Sequence, residues 1–261
     1  MPRRLVLFDI DCTLIDAHGS GGRAMLRAIK DVYGVEGELG DYSFHGRTDP
    51  GIIRDLAELW GADGSGGGDD GHPREVVQAP GAGRSGASSE DPVGDRVAEC
   101  IAHYVGLLRD EIAAAEVETL PGVRELVTAL VADRRAVVGL LTGNVEQGAR
   151  LKLEPTGLLS HFKVGAYGSD SALRTDLPAV AVSRAEALTG RRFVGKDVVV
   201  VGDTPADVEC GASLGVTAVA VATGRHSVDQ LAACEPDHLF ADLSDWPTAY
   251  AAIMGDDDAR R

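Results

Sequence analysis

The run Leu5-Val6-Leu7-Phe8-Asp9-Ile10-Asp11-Cys12-Thr13-Leu14 decides how this chain is read. Its first four residues are apolar and short in extent, which predicts a strand buried on both faces. The run then ends in two carboxylates one residue apart, followed by a hydroxyl. If the strand continues, alternation puts Asp9 and Asp11 on one side of it. Like charges held this close raise each other's pKa unless a cation sits between them. A carboxylate pair in this position therefore points either to a metal site or to a nucleophile beside an acid/base group.

Two later apolar runs end the same way, Ala136-Val137-Val138-Gly139-Leu140-Leu141-Thr142-Gly143-Asn144 and Asp197-Val198-Val199-Val200-Val201-Gly202-Asp203-Thr204-Pro205-Ala206-Asp207. Working outward, strands are expected near 5–9, 136–142, 163–168, 197–203, 217–222 and 238–241. Helices are expected over 121–132, 145–154, 177–189, 205–214 and 227–233. Strand alternating with helix predicts a parallel sheet covered on both faces. In such a sheet ligands bind at the carboxyl ends of the strands, where Asp9, Thr142 and Asp203 would meet in one crevice. Thr204-Pro205-Ala206-Asp207 has the form of a helix start, with a hydroxyl cap, a first-turn proline and an acid at the third position.

More than a hundred residues separate the first of these strands from the second. Helices are expected there over 20–33, 50–60 and 93–116, the last from Val97, Ile101, Tyr104, Val105, Leu108 and Ile112 at helical spacing. Ten of the thirty-five residues from Gly61 to Asp95 are Gly, too many for a packed segment, so a flexible loop is expected at 61–95.

At 261 residues the chain can bury a full core and carry a smaller second domain. A net charge of −16 argues against nucleic acid or an anionic membrane as partner, because both need clustered Lys and Arg. It also means that an anionic substrate must be drawn in by local positive charge or metal. Cys12, Cys100, Cys210 and Cys234 are widely spaced and suggest neither a zinc motif nor a disulfide framework. No apolar stretch approaches the ~18 residues that span a bilayer, and a cytoplasmic protein with reduced thiols is expected.

Taken in order, the three strand endings resemble motifs one, two and four of the haloacid dehalogenase-like hydrolase superfamily, in its phosphatase branch. The resemblance runs from Leu5 to about Gly224. It implies an α/β fold, with a Rossmann-like core over 1–17 and 119–261 and a helical cap over 18–118 interrupted at 61–95. Asp9 would be the nucleophile that becomes an aspartyl-phosphate. Asp11 would protonate the leaving oxygen and then activate water, with a pKa raised by closeness to Asp9. Thr142 and the backbone N–H groups of Gly143 and Asn144 would hold the phosphoryl oxygens. Asp203 would join Asp9 and the Asp11 carbonyl around Mg²⁺, an ion that prefers oxygen ligands. Asp207 would belong to that metal site or cap its own helix.

The family's third motif, normally a Lys, has no Lys-Pro pair to represent it here. Arg174 is the expected substitute, since a guanidinium binds phosphate bidentately and keeps its charge. Lys152 is a poorer candidate because it lies in the helix after the second motif. Cys12 stands where the family usually has Gly, and Ala17 where a small hydroxyl residue often follows Asp16. Phe44-His45-Gly46-Arg47-Thr48-Asp49-Pro50-Gly51 resembles the cap segment of phosphoglycolate phosphatase-like members, which would let Arg47 reach the substrate; Asp49-Pro50 also reads simply as a helix start. The implied activity is Mg²⁺-dependent hydrolysis of a small phosphorylated metabolite. A phosphomutase of the same superfamily and a phosphate-binding protein without turnover are the alternatives. Monomer and dimer are both left open.

Overall fold

The computed structural model describes residues 4–62 and 93–256. Apart from its two ends, the Gly-rich stretch expected as a loop at 61–95 lies outside the described residues. Six strands form one parallel sheet in the order β5 (Val164–Ala166), β4 (Ala136–Leu141), β1 (Arg4–Phe8), β6 (Val198–Gly202), β7 (Thr217–Val221), β8 (His238–Phe240). The chain builds outward from β1 to β4 and β5, then crosses back to place β6 on the other side of β1. That reversal opens a crevice at the carboxyl ends of the central strands. In register, Phe8 stands beside both Leu140 and Val201, so Asp9, Thr142 and Asp203 leave the sheet close together.

Alternation along β1 divides the core. Leu5 and Leu7 pack with Leu177, Ala181 and Ala185 of α6 (Leu177–Thr189). Val6 and Phe8 face the opposite cluster, which includes Leu126 and Leu130 of α4 (Val123–Ala132) and Ile253 of α9 (Trp246–Met254). Each fully buried aliphatic side chain of this kind stabilises the fold by roughly 1.5–3 kcal/mol relative to exposure.

After β1 the chain passes through β2 (Ile15–Asp16) into α1 (Ser20–Tyr33), α2 (Asp49–Leu59) and α3 (Gly94–Ala114), and returns through β3 (Glu118–Thr119). β2 and β3 pair antiparallel, Ile15 with Thr119 and Asp16 with Glu118, so exit and return share one narrow ribbon. α1 packs on α3 through Ala24, Met25 and Ile29 against Tyr104, Val105 and Leu108. Arg23 to Glu111 at 2.8 Å and His103 to Asp31 at 2.9 Å fasten the rim of that contact.

The expected elements recur with shifted ends. The helix expected over 205–214 is shorter: α7 spans Pro205–Cys210, and a 3-10 turn follows at Ala212–Leu214 after Gly211. Two further α-helices among the described residues are α5 (Glu146–Leu153) and α8 (Val228–Ala232). Among the described residues no helix is long and apolar enough to cross a membrane.

Candidate active site

A cavity of about 520 Å³ lies between the carboxyl ends of the strands and the inserted helices α1, α2 and α3. Asp9, Asp11, Thr142, Gly143, Asn144, Arg174 and Asp203 line it from the sheet side, and Arg47, with neighbouring residues, from the inserted side. The site residues expected from the sequence therefore converge, and Asp207 lies just beneath, buried against Gly202.

Asp9 is buried, and burial raises its carboxyl to about 6; Arg174 opposes that rise, while Asp207 and Asp11 add to it. The Arg174 guanidinium reaches Asp9 at 3.5 Å and pairs closely with Asp207. It sits on a 3-10 turn, Arg174–Asp176, that delivers it into the crevice from the edge of α6. Asp207 uses its second oxygen to accept from the Thr204 amide at 3.0 Å and hydroxyl at 2.6 Å, which completes a capping box at the start of α7. The capping role expected for Asp207 is thus present, and its first oxygen holds Arg174.

Asp11 departs from expectation. Burial pushes its carboxyl up, but the Lys152 ammonium and the Asn144 amide outweigh this and hold it below the usual range. Lys152 Nζ donates to both Asp11 oxygens, at 2.9 and 2.7 Å, and to Asn144 Oδ1 at 2.6 Å. Asn144 Nδ2 donates to Asp11 at 2.8 Å and to Thr142 Oγ1 at 2.9 Å. Closeness to Asp9 does not decide the titration of Asp11, because a cation stands nearer.

Lys152, the poorer candidate on sequence grounds, is thereby part of the site, with only 4% of its surface exposed. The available signal was its position on α5, where it shares the buried face with Gly148, Ala149 and Leu153. A Lys on a buried helical face needs an acidic partner. Asp49 was likewise read only as part of a helix start. It is buried, its carboxyl accepts from the Val145 amide at 2.9 Å, and burial raises it to about 6 against the pull of Lys152. Its own amide donates to the Gly143 carbonyl at 2.8 Å. A side chain at Gly143 would collide with the Arg47 carbonyl, so this glycine lets the inserted segment close on the second motif.

Arg47 lines the cavity, while its guanidinium pairs with Asp55 at 2.7 Å and lies over the Tyr42 ring. Cys12 has φ +59°, the left-handed backbone for which glycine is the usual choice. Burial and then the neighbouring carboxylates push its thiol up to about 12, which makes it a poor nucleophile. His45, half-buried, is lowered by burial and by Arg225 and His226.

Asp9, Asp203 and Asp207 each offer an oxygen within 4.8 Å of the others. Thr13 Oγ1 donates to Asp203 Oδ1 at 3.1 Å, but buried Asp203 Oδ2 has no hydrogen-bond partner among the described residues. Burial, then Asp207 and Asp9, raise Asp203 to about 8. A buried oxygen without a donor, in an all-oxygen cluster of like charges, fits a hard divalent cation such as Mg²⁺.

A family model described as HAD-hydrolase-like matches residues 178–246. A phosphoglycolate phosphatase of Rhodospirillum rubrum is 32% identical over 170 residues, covering 64% of this chain and 67% of that protein. A probable phosphatase, IndB, of Dickeya dadantii is 29% identical over 171 residues, covering 62% of this chain and 70% of that protein. Among solved structures, a putative β-phosphoglucomutase from Bacteroides vulgatus superposes with a TM-score of 0.64 over 97% of this chain and 90% of that one, at 16% identity, a likeness of fold.

Proposed function

The chain belongs to the haloacid dehalogenase-like hydrolase superfamily, in its phosphatase branch, and we propose that it is a Mg²⁺-dependent hydrolase of small phosphate monoesters that carry a carboxylate, as phosphoglycolate does. The observation that carries this reading is the convergence of Asp9, Thr142, Arg174 and Asp203 on one cavity, with a guanidinium 3.5 Å from the Asp9 oxygen. We take residues 1–17 and 119–261 as the catalytic core and 18–118 as its cap, with the β2–β3 ribbon as the joint between them. Four unpaired cysteines suit a reducing, cytoplasmic setting.

In this mechanism Asp9 attacks phosphorus, the bond to the ester oxygen breaks, and an aspartyl-phosphate forms. Arg174 holds the equatorial phosphoryl oxygens beside Asp9 and keeps that carboxylate ionised. Thr142 and the amides of Gly143 and Asn144 bind the same oxygens from the second motif. Lys152 and Asn144 hold Asp11 ionised in the free site, so it must take up a proton as the ester binds before it can give one to the departing alkoxide. It then takes a proton from the water that attacks the phosphoenzyme, and its ionised form is the one Lys152 and Asn144 stabilise. Asp9, Asp203 and the Asp11 carbonyl would hold Mg²⁺, whose charge offsets the phosphate's when bound. Asp207 positions Arg174 through its close pair.

The test is Asp9→Asn, nearly the same size but a far poorer nucleophile. Phosphate release from a panel of esters with Mg²⁺ should vanish while the melting temperature stays near that of the wild type. Turnover retained by a folded variant removes Asp9 from the nucleophile's role. Transfer of phosphate to a second hydroxyl, in place of release, would mark a mutase.

A further inference from the structure

The phosphatase reading leaves Cys12 and His45 without a task. Both are half-buried and both line the cavity. Cys12 Sγ, a His45 ring nitrogen and an Asp203 oxygen all lie within 4.8 Å of one another. In a tetrahedral zinc site, bonds of about 2.0–2.3 Å set the ligand atoms roughly 3.3–3.8 Å apart, so small side-chain rotations close the difference.

Each member is held in place by the fold. The Cys12 amide donates to the Ile15 carbonyl at 2.9 Å, and the Cys12 carbonyl accepts from the Thr223 hydroxyl. Asp203 is 1% exposed, and since Oδ1 takes the Thr13 hydroxyl, Oδ2 is the free oxygen. That oxygen lies on the side of Gly224, where a β-carbon would meet it at 1.9 Å and Cys12 Cβ at 3.2 Å. His45 comes from the opposite wall. Gly46, with φ +75°, brings it against the α7 start, where an added β-carbon would stand 2.7 Å from Ala206 Cβ. The His45 ring has no hydrogen-bond partner among the described residues.

Sulfur, nitrogen and oxygen together are a poor set for Mg²⁺ and a good one for a thiophilic ion. Three protein ligands with the fourth direction open to a cavity also match the ligand count of open zinc sites. We propose that Cys12, His45 and Asp203 bind Zn²⁺ or a chemically similar thiophilic cation, and that its binding stops turnover by taking Asp203 from the Mg²⁺ site and tying the cap segment to the core. The thiol loses its proton to solvent as the sulfur–metal bond forms. Binding is independent of the phosphatase reading; the inhibition rests on it.

The experiment titrates the full chain with Zn²⁺ by calorimetry, without Mg²⁺ or substrate, and with Cd²⁺ while following the ultraviolet sulfur-to-cadmium charge-transfer band. Cys12→Gly suits the left-handed backbone at this position, and His45→Ala removes the nitrogen ligand. Wild type should bind one equivalent and show the band. Loss of either ligand should weaken binding by about 100-fold or more, beyond the 10–100-fold typical of outer groups around a metal, and Cys12→Gly should abolish the band. Binding as tight in both variants as in wild type, or a band that survives in Cys12→Gly, overturns the site. In the second arm, Zn²⁺ is added at saturating Mg²⁺, and the inhibited fraction is compared within each protein. Inhibition of wild type but not of Cys12→Gly supports the proposal. Stoichiometric binding without loss of turnover overturns the inhibitory role. A chain with no phosphatase activity leaves the binding arm to decide the site and counts against the proposed function alone.

Discussion

Lys152 is where charge and burial decide most at the scale of one residue. It is the nearest cation to Asp11, and removing one partner of a buried pair leaves the other charge uncompensated. Because Asp11 keeps 39% of its side chain exposed, Lys152→Ala should lower stability by only about 2 kcal/mol, less than for a fully buried pair. The larger effect should fall on catalysis: without the ammonium, burial raises Asp11, and the limb of the kcat profile that reports this group moves to higher pH. Measuring kcat from about pH 3 to 9 in both proteins checks it, and a uniform fall with an unmoved profile would show that Lys152 serves structure only. Arg174→Ala should lower kcat at every pH by removing the phosphoryl contact, and should also move the limb that reports Asp9 to higher pH, because Arg174 opposes the rise of that carboxyl. Asp9, Thr142 and Asp203 were legible in the sequence because each interrupts an apolar run, where a polar group is conspicuous. Lys152 and Asp49 were not, because Asp49 reads as an ordinary helix start and the buried face that Lys152 shares with Ala149 and Leu153 does not say that its partner is Asp11.

Between elements, the decisive contact is the clasp of the start of α2 on the loops that follow β4 and β5. Asp49 opens α2 and accepts the Val145 amide at the start of α5, Thr48 Oγ1 donates to the Ala172 carbonyl at 2.7 Å, and the Gly143 carbonyl takes the Asp49 amide. Asp49 has an ordinary value of 3.8 and is raised to about 6 in the fold. Between those two pH values the unfolded chain has lost its proton while the folded chain keeps it. This part of the stability is therefore complete below pH 3.8 and is lost as pH rises through 6. Asp49→Asn keeps an acceptor for Val145 and removes the titration. Melting curves should show wild type losing stability relative to the variant from about pH 4 to 6, with a constant difference above; parallel curves throughout would mean that Asp49 titrates normally. The helices and strands of this architecture were legible from periodicity and caps. The β2–β3 ribbon, two residues a strand, is too short to carry a period, and its pairing is a tertiary event. α9 was missed although it has an Asp245 cap, Pro247 in its first turn and buried Ala249, Ala252, Ile253 and Met254. It lies beyond the strand endings that guided the reading.

Over the whole molecule, 41 acidic against 25 basic residues give a net charge of −16, while in the cavity lining Arg23, Arg47, Lys152, Arg174 and Arg225 are matched by Asp9, Asp11, Asp16, Asp49 and Asp203. Long-range repulsion of an anionic ester and its short-range contacts with the cavity's cations therefore oppose each other. They are screened differently: the Debye length falls from about 30 Å at 0.01 M to about 8 Å at 0.15 M salt, which weakens the distant surface charges first. Contacts inside a partly enclosed cleft are shorter than either length and change little. If Asp9, Arg174 and Thr142 bind phosphate as proposed, moderate salt should lower KM for a doubly charged substrate and leave kcat unchanged, with Mg²⁺ saturating throughout. A positively steered enzyme does the opposite, losing kcat/KM as salt rises. Initial rates across this range of NaCl, for one monoester with a carboxylate and one without, distinguish the cases. The carboxylate-bearing ester, carrying one more charge against the same field, should gain more. A fall in kcat/KM for both would show that cations at the cleft, rather than the molecule's net charge, govern how substrate arrives.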